Sequence, residues 1–173
     1  PIISPNGINF NRIDNVTIKG DGTDHKDFVY GIEDIRIVKF EDLFLLVGCG
    51  KIKPPFKGGS GGDRVAIYST TDFKNINYHG IINVFDSRNA VPFPQYINGQ
   101  FYMLFRFHPN IHLDILEAGL EQLLDPPKYD KYWQKIYDRR AKNLLLATGN
   151  FPHEKEKMGP GTQIIKTEEG WLL

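Results

Sequence analysis

The sequence predicts an all-β protein of β-propeller type, built from repeated antiparallel meanders and carrying a helical insertion. Short runs rich in β-branched and aromatic residues recur along the chain, turn residues separate them, and a round of four strands is followed by a second round. Glycine (17 residues), proline (11) and aromatic residues (13%) are plentiful, which favours short strands joined by turns over long helices. Strands spaced in this way are the sequence signature of propeller blades.

Residues 1–30 are polar and turn-rich, with Pro5-Asn6-Gly7 and Gly20-Asp21-Gly22-Thr23-Asp24 as punctuation, and predict extended chain with one strand near 16–19. Runs 32–40 and 43–48, joined at Glu41-Asp42, read as an antiparallel hairpin. A glycine-rich loop, 57–63, leads into a third strand, 64–70, marked by Val65, Ile67 and Tyr68, and 76–84 supplies a fourth. The second round opens with 90–95 and 101–107. Beyond Pro109 the spacing of Leu113, Ile115, Leu116, Leu120, Leu123 and Leu124 follows a helical period, and Pro126-Pro127 breaks it. Residues 129–140, with Tyr132, Trp133, Ile136 and Tyr137, then form a second amphipathic helix, giving a helical hairpin inserted over about residues 113–140. Strand character returns at 143–148, at 163–166 and from Trp171.

Lys plus Arg equals Asp plus Glu at 21 each, so no global basic excess points to nucleic acid or an anionic membrane. The chain has no charged-then-apolar leader and no apolar run of about 18 residues, which predicts a cytoplasmic protein without a membrane span. The single cysteine, Cys49, cannot form an intrachain disulfide and ends an apolar run, where it reads as a small buried hydrophobe. Gly58-Gly59-Ser60-Gly61-Gly62 lacks the Lys-Ser/Thr of a phosphate loop and opens a strand rather than a helix. His108 and His112 have a ligand-like spacing, but Pro109 interrupts any helix and no third ligand is evident, so they read as a surface pair and no metal is expected. No glycine-flanked nucleophile is present. Lys128, Lys131, Lys135, Arg139 and Arg140 share their segment with Asp130 and Asp138, the pattern of a solvated, half-buried helix.

More informative is Gly31-Ile32-Glu33-Asp34-Ile35-Arg36-Ile37, where two acids and an arginine interrupt a β-type apolar strand. Regular alternation puts Asp34 and Arg36 on one face and Glu33 and Ile35 on the other. Two readings stand: a cross-strand ion pair, or, on an inner propeller strand facing a central channel, a general acid and its neighbour.

That segment resembles the Gly-x-Glu-Asp-Pro-Arg-Ile signature of glycoside hydrolase family 130, with Ile35 in place of the proline. Further segments similar to the family follow in the family's order: 64–75, from Arg64-Val65-Ala66-Ile67-Tyr68; 91–101, from Val91-Pro92-Phe93-Pro94-Gln95; Met103-Leu104-Phe105-Arg106; Lys157-Met158-Gly159-Pro160-Gly161; and 165–173. The resemblance runs from about residue 28 to the end, interrupted by the helical insertion. It implies a five-bladed β-propeller acting on β-mannosidic bonds. It implies that Asp34 is the proton donor, that Arg64, Arg88 and Lys157 hold phosphate, that Asn89 and Arg106 lie near the sugar, and that Glu33 and Arg36 support the site.

The expected reaction is inverting phosphorolysis of a β-mannoside. Asp34 protonates the glycosidic oxygen, phosphate attacks the anomeric carbon from the opposite face, and α-mannose 1-phosphate is released. Phosphate is then a co-substrate, and no metal or organic cofactor is called for. A hydrolytic member would instead need a second carboxylate about 6.5 to 9.5 Å from the acid to activate water. A catalytically inactive sugar-binding or assembly propeller is the remaining alternative. Family members are roughly twice as long as these 173 residues. The whole chain, 1–173, is therefore expected to be part of a single propeller domain with about two to three blades present. Its completion would come from a remainder of the protein or from a homo-oligomeric partner.

Overall fold

The computed structural model describes residues 2–14, 28–54, 61–149 and 151–173. The strand expected near 16–19, and most of the glycine-rich loop, lie outside the described residues. The chain is mainly β, as its composition predicts. In order it forms β1 (Ile2–Ile3), β2 (Asn11–Arg12), β3 (Ile32–Phe40), β4 (Leu43–Lys51), β5 (Asp63–Thr70), β6 (Asn77–Ile82), β7 (Ala90–Pro92), β8 (Phe101–Phe107) and β9 (Asn110–Leu116). A one-turn helix α1 (Glu121–Leu124), a 3-10 turn (Pro126–Tyr129) and α2 (Asp130–Asp138) follow, then β10 (Leu144–Leu146), β11 (Ile165–Lys166) and β12 (Trp171–Leu172).

Two open four-stranded antiparallel sheets dominate, in the orders β3-β4-β5-β6 and β7-β8-β9-β10. Alternation along the strands splits their side chains between faces. Leu45 and Val47 of β4 and Val65 and Ile67 of β5 join Phe101, Met103, Phe105 and Phe107 of β8 in one core shared by the two sheets. Their neighbours Leu46, Ala66 and Tyr68 turn to the other face and pack with Phe28. On the far face of the second sheet, Val91, Phe93, Leu104 and Ile111 are joined by Ile164. Two glycines of β4 permit close approaches: a Cβ on Gly48 would come within 2.9 Å of both Ile32 and Ile35, and one on Gly50 within 2.9 Å of the Phe28 ring. Cys49 lies fully buried between them, and burial pushes its thiol up to about 12.

The helical hairpin needs correction. Leu113, Ile115 and Leu116 belong to strand β9, not to a helix, and helical structure within the insertion is confined to α1, the 3-10 turn and α2. The apolar spacing there fits either period. Pairing decides it: β9 runs in register against β8 from Phe107↔Asn110 to Phe101↔Leu116, which satisfies its backbone groups. His112, expected at the surface, is buried in that strand, and its Nδ1 lies 2.8 Å from the carbonyl oxygen of Arg140.

The insertion is fastened to both sheets. Pro127 of the 3-10 turn packs on Gly80 of β6, while Arg139 donates to both carboxylate oxygens of the buried Asp114 on β9. Trp133 of α2 is fully buried in the shared core, and its indole N–H donates to the carbonyl of Pro126 at 3.0 Å. Trp133→Ala is expected to cost about 3–5 kcal/mol, from the cavity and the orphaned carbonyl together. Equilibrium denaturant unfolding of the variant measures it.

Candidate active site

The start of β3, the end of β4, the start of β5 and the connection from β6 to β7 meet at one end of the first sheet. There the signature segment departs from regular alternation. Glu33 pairs with Cys49 and Arg36 with Val47, so three residues of β3 advance against two of β4, which is a bulge. Asp34 sits in it with φ 55°, a left-handed conformation that Asp tolerates better than most residues. This corrects the expected geometry: the bulge turns Glu33 and Asp34 together toward Arg88, instead of sending them to opposite faces. It also accounts for Ile35 standing where the family motif has proline. Bulges and edge strands are where a proline is tolerated in a sheet, and β3 is an edge strand, so either residue fits.

Arg88, in the connection before β7, reaches both acids. Its Nε donates to Asp34 Oδ2 at 3.0 Å and its Nη2 lies 2.5 Å from Glu33 Oε1. Burial alone would lower the pKa of this guanidinium, but its hydrogen bond to Asp34 and the charges of both carboxylates outweigh that and raise it. Arg36 bonds the backbone of the bulge rather than its carboxylate. Its Nη1 donates to the carbonyl of Asp34 at 2.6 Å and its Nη2 to that of Pro160 at 3.1 Å, which ties the bulge to the Lys157–Gly161 segment.

Two further residues take part that sequence reasoning did not single out. Lys51, a largely buried lysine closing β4, places its ammonium 2.8 Å from Glu33 Oε1 and 2.5 Å from Asp63 Oδ1. Burial opposes its charge, but the hydrogen bonds to Asp63 and Glu33 prevail and raise its pKa. The signal was present in the pattern: a lysine ends one strand, an acid opens the next, and antiparallel register sets Lys51 opposite Asp63.

The remaining expected residues divide into two groups. Arg106, at the end of β8, is half-buried, and its guanidinium has no hydrogen bond or ion pair among the described residues; burial, reinforced by the nearby charge of Arg88, lowers its pKa. Asn89 is buried beside it, and its Oδ1 has no partner among the described residues. Gly159 closes over both, since a Cβ there would lie 3.2 Å from Arg106 Nη1 and 3.7 Å from Asn89 Cγ. Arg64 and Lys157 are not drawn into this cluster. Arg64 donates to Asn83 Oδ1 and to the carbonyl of Asp63, while Lys157 is exposed. Among the described residues no three His, Cys, Asp or Glu side chains group as a metal site, and no helix is long and apolar enough to cross a membrane.

In chemical terms the cluster presents an accessible carboxylate, Asp34, under a guanidinium fork. A second guanidinium and a buried amide with an unpartnered oxygen lie alongside. The family model described as beta-1,4-mannooligosaccharide phosphorylase, of glycoside hydrolase family 130, matches residues 3–173. A beta-1,2-mannobiose phosphorylase of Listeria innocua is 30% identical over 163 residues, covering 87% of this chain and 39% of that protein. A 1,2-beta-oligomannan phosphorylase of Thermoanaerobacter sp. is 28% identical over 172 residues, covering 99% of this chain and 50% of that protein. Among solved structures, the Listeria innocua beta-1,2-mannobiose phosphorylase in complex with beta-1,2-mannobiose superposes with a TM-score of 0.59 at 25% identity, over 84% of this chain and 36% of that chain. The chain thus spans half or less of the length of these relatives.

Proposed function

Since the chain belongs to glycoside hydrolase family 130, we propose that it carries the acid and part of the anion site of an inverting β-mannoside phosphorylase. Its two four-stranded sheets are then neighbouring blades of a single five-bladed propeller domain, with the ends of β3 and β7 turned toward the channel. In the reaction Asp34 gives its proton to the glycosidic oxygen, directly or through a sugar hydroxyl. The bond from that oxygen to the anomeric carbon breaks, a phosphate oxygen bonds to the carbon from the opposite face, and α-mannose 1-phosphate leaves with Asp34 ionised. Asn89 and Arg106 contact the sugar or the incoming phosphate, with Arg64 and Lys157 closing in when phosphate is bound. The nucleophile arrives as an anion, so the protein supplies cations and needs no organic cofactor.

The observation that carries this reading is how the carboxylates around Asp34 are used. A hydrolase needs one of them free to activate water. Here Glu33 and Asp63 are both held by Lys51, and Glu33 also by Arg88. Beside them Arg106 is a cation that makes no ion pair among the described residues, as binding of an anionic nucleophile requires. The relatives named for beta-1,2- and beta-1,4-linked mannosides suggest the substrates to try. With a panel of such disaccharides, consumption is expected only when phosphate is present. Equal consumption without phosphate would make the chain a hydrolase and remove the anion-binding role of Arg88.

A further inference from the structure

We propose that residues 157–161 are a strap laid across Asn89 and Arg106, and that Arg36 is the positioning residue that pins this strap to the strand carrying Asp34. The strap is held from both sheets. From the second, the Met158 amide donates to the Pro109 carbonyl at 2.9 Å, the Met158 side chain packs on the cluster of Val91 and Leu104, and Gly159 lies against Arg106 and Asn89. From the first, Nη2 of Arg36 donates to the Pro160 carbonyl at 3.1 Å while Nη1 holds the Asp34 carbonyl at 2.6 Å. One planar guanidinium thus fixes the backbone of the acid and the backbone of the strap at once.

What Arg36 does not bond supports this role. The carboxylates of Glu33 and Asp34 are taken by Arg88, and the buried Nε of Arg36 has no partner among the described residues. Burial works against its charge and lowers its pKa. An arginine kept in such a place serves geometry, because its rigid fork reaches two carbonyls in fixed directions and a lysine ammonium does not. Lys157 gains a fixed root from the strap: its backbone directly precedes the Met158 bond, so only the exposed side chain has to swing toward an anion. Gly159 confines the other cation, since a Cβ there would already stand 3.2 Å from Arg106 Nη1. The strap therefore sets both Lys157 and Arg106 for phosphate, a consequence that rests on the phosphorolytic reading.

Limited trypsin digestion of the full chain, followed by mass spectrometry, reads the strap through the cut after the exposed Lys157. Arg36→Met is expected to speed that cut at least about tenfold, the scale of losing one charged hydrogen bond, with the cut after Lys131 of α2 unchanged. Left with the Met158 bond and its packing, the strap is then open much of the time. The KM for phosphate should rise several-fold as the closed fraction falls, with kcat changing less. A merely stabilising Arg36 would instead lower kcat with the folded fraction, which thermal melts read, and leave that KM in place. Arg36→Lys keeps the charge without the fork, so it should resemble Arg36→Met in both measurements, and it decides the case if Arg36→Met does not fold. An unchanged cut after Lys157 overturns the inference, as does an open strap with the wild-type KM for phosphate. So does an Arg36→Lys variant that restores this KM while its strap stays open, because charge alone would then account for Arg36. A wild-type chain without phosphate-dependent cleavage of mannosides overturns the phosphorolytic reading alone, and the trypsin cut still decides whether Arg36 pins the strap.

Discussion

Asp34→Asn is expected to lower phosphate-dependent cleavage about 10²–10⁴-fold, the contribution of a positioned proton donor, while the chain keeps its fold. The substitution is well suited to separating chemistry from structure. Asn is as much at home as Asp in the left-handed conformation that the bulge requires, so the φ of 55° at this position is retained. The group is exposed, and losing a solvent-screened ion pair to Arg88 is worth no more than about 1 kcal/mol. Initial rates beside a thermal melt check both halves. A folded variant that turns over at the wild-type rate would show that Asp34 is not the acid.

Arg88→Ala is expected to raise the KM for phosphate by about 10²–10⁴-fold, since each hydrogen bond to a charged group contributes about 1.5–3 kcal/mol and two are lost with the fork. Arg88→Lys should recover only part of this, because an ammonium restores the charge but not the planar pair of donors. Initial rates over a range of phosphate concentrations read the effect. If the loss falls on the mannoside KM instead, Arg88 serves the sugar and not the phosphate.

Much of the fold was legible because the strands obey simple periods. The run 32–40 is β3 (Ile32–Phe40), 43–48 lies within β4 (Leu43–Lys51), and 101–107 is β8 (Phe101–Phe107). The first round is a four-stranded sheet, and 90–95 and 101–107 open a second, whose third strand β9 lies where the sequence suggests a helix. Periodicity failed where two periods fit the same residues. Leu113, Ile115 and Leu116 suit a helix locally, and only pairing with β8 made them a strand. At the candidate site the motif located Asp34, but alternation misassigned its face, because a bulge is a local break in the period on which the rule depends. Lys51 was hidden for a different reason. It lies beyond the run 43–48 that reads as a strand, and its importance arises only from Glu33 and Asp63 converging on it from two neighbouring strands. His112, likewise, was judged by its neighbour Pro109, whereas its burial is decided by β9 packing against Phe107.

The central claim, that Asp34 and the surrounding cations serve phosphorolysis of a β-mannoside, is tested most directly by nuclear magnetic resonance of the products formed with and without phosphate. The account predicts α-mannose 1-phosphate, identified by its anomeric proton and its phosphorus signal, appearing only when phosphate is present and only with Asp34 intact. Free mannose released at the same rate in phosphate-free buffer would contradict it.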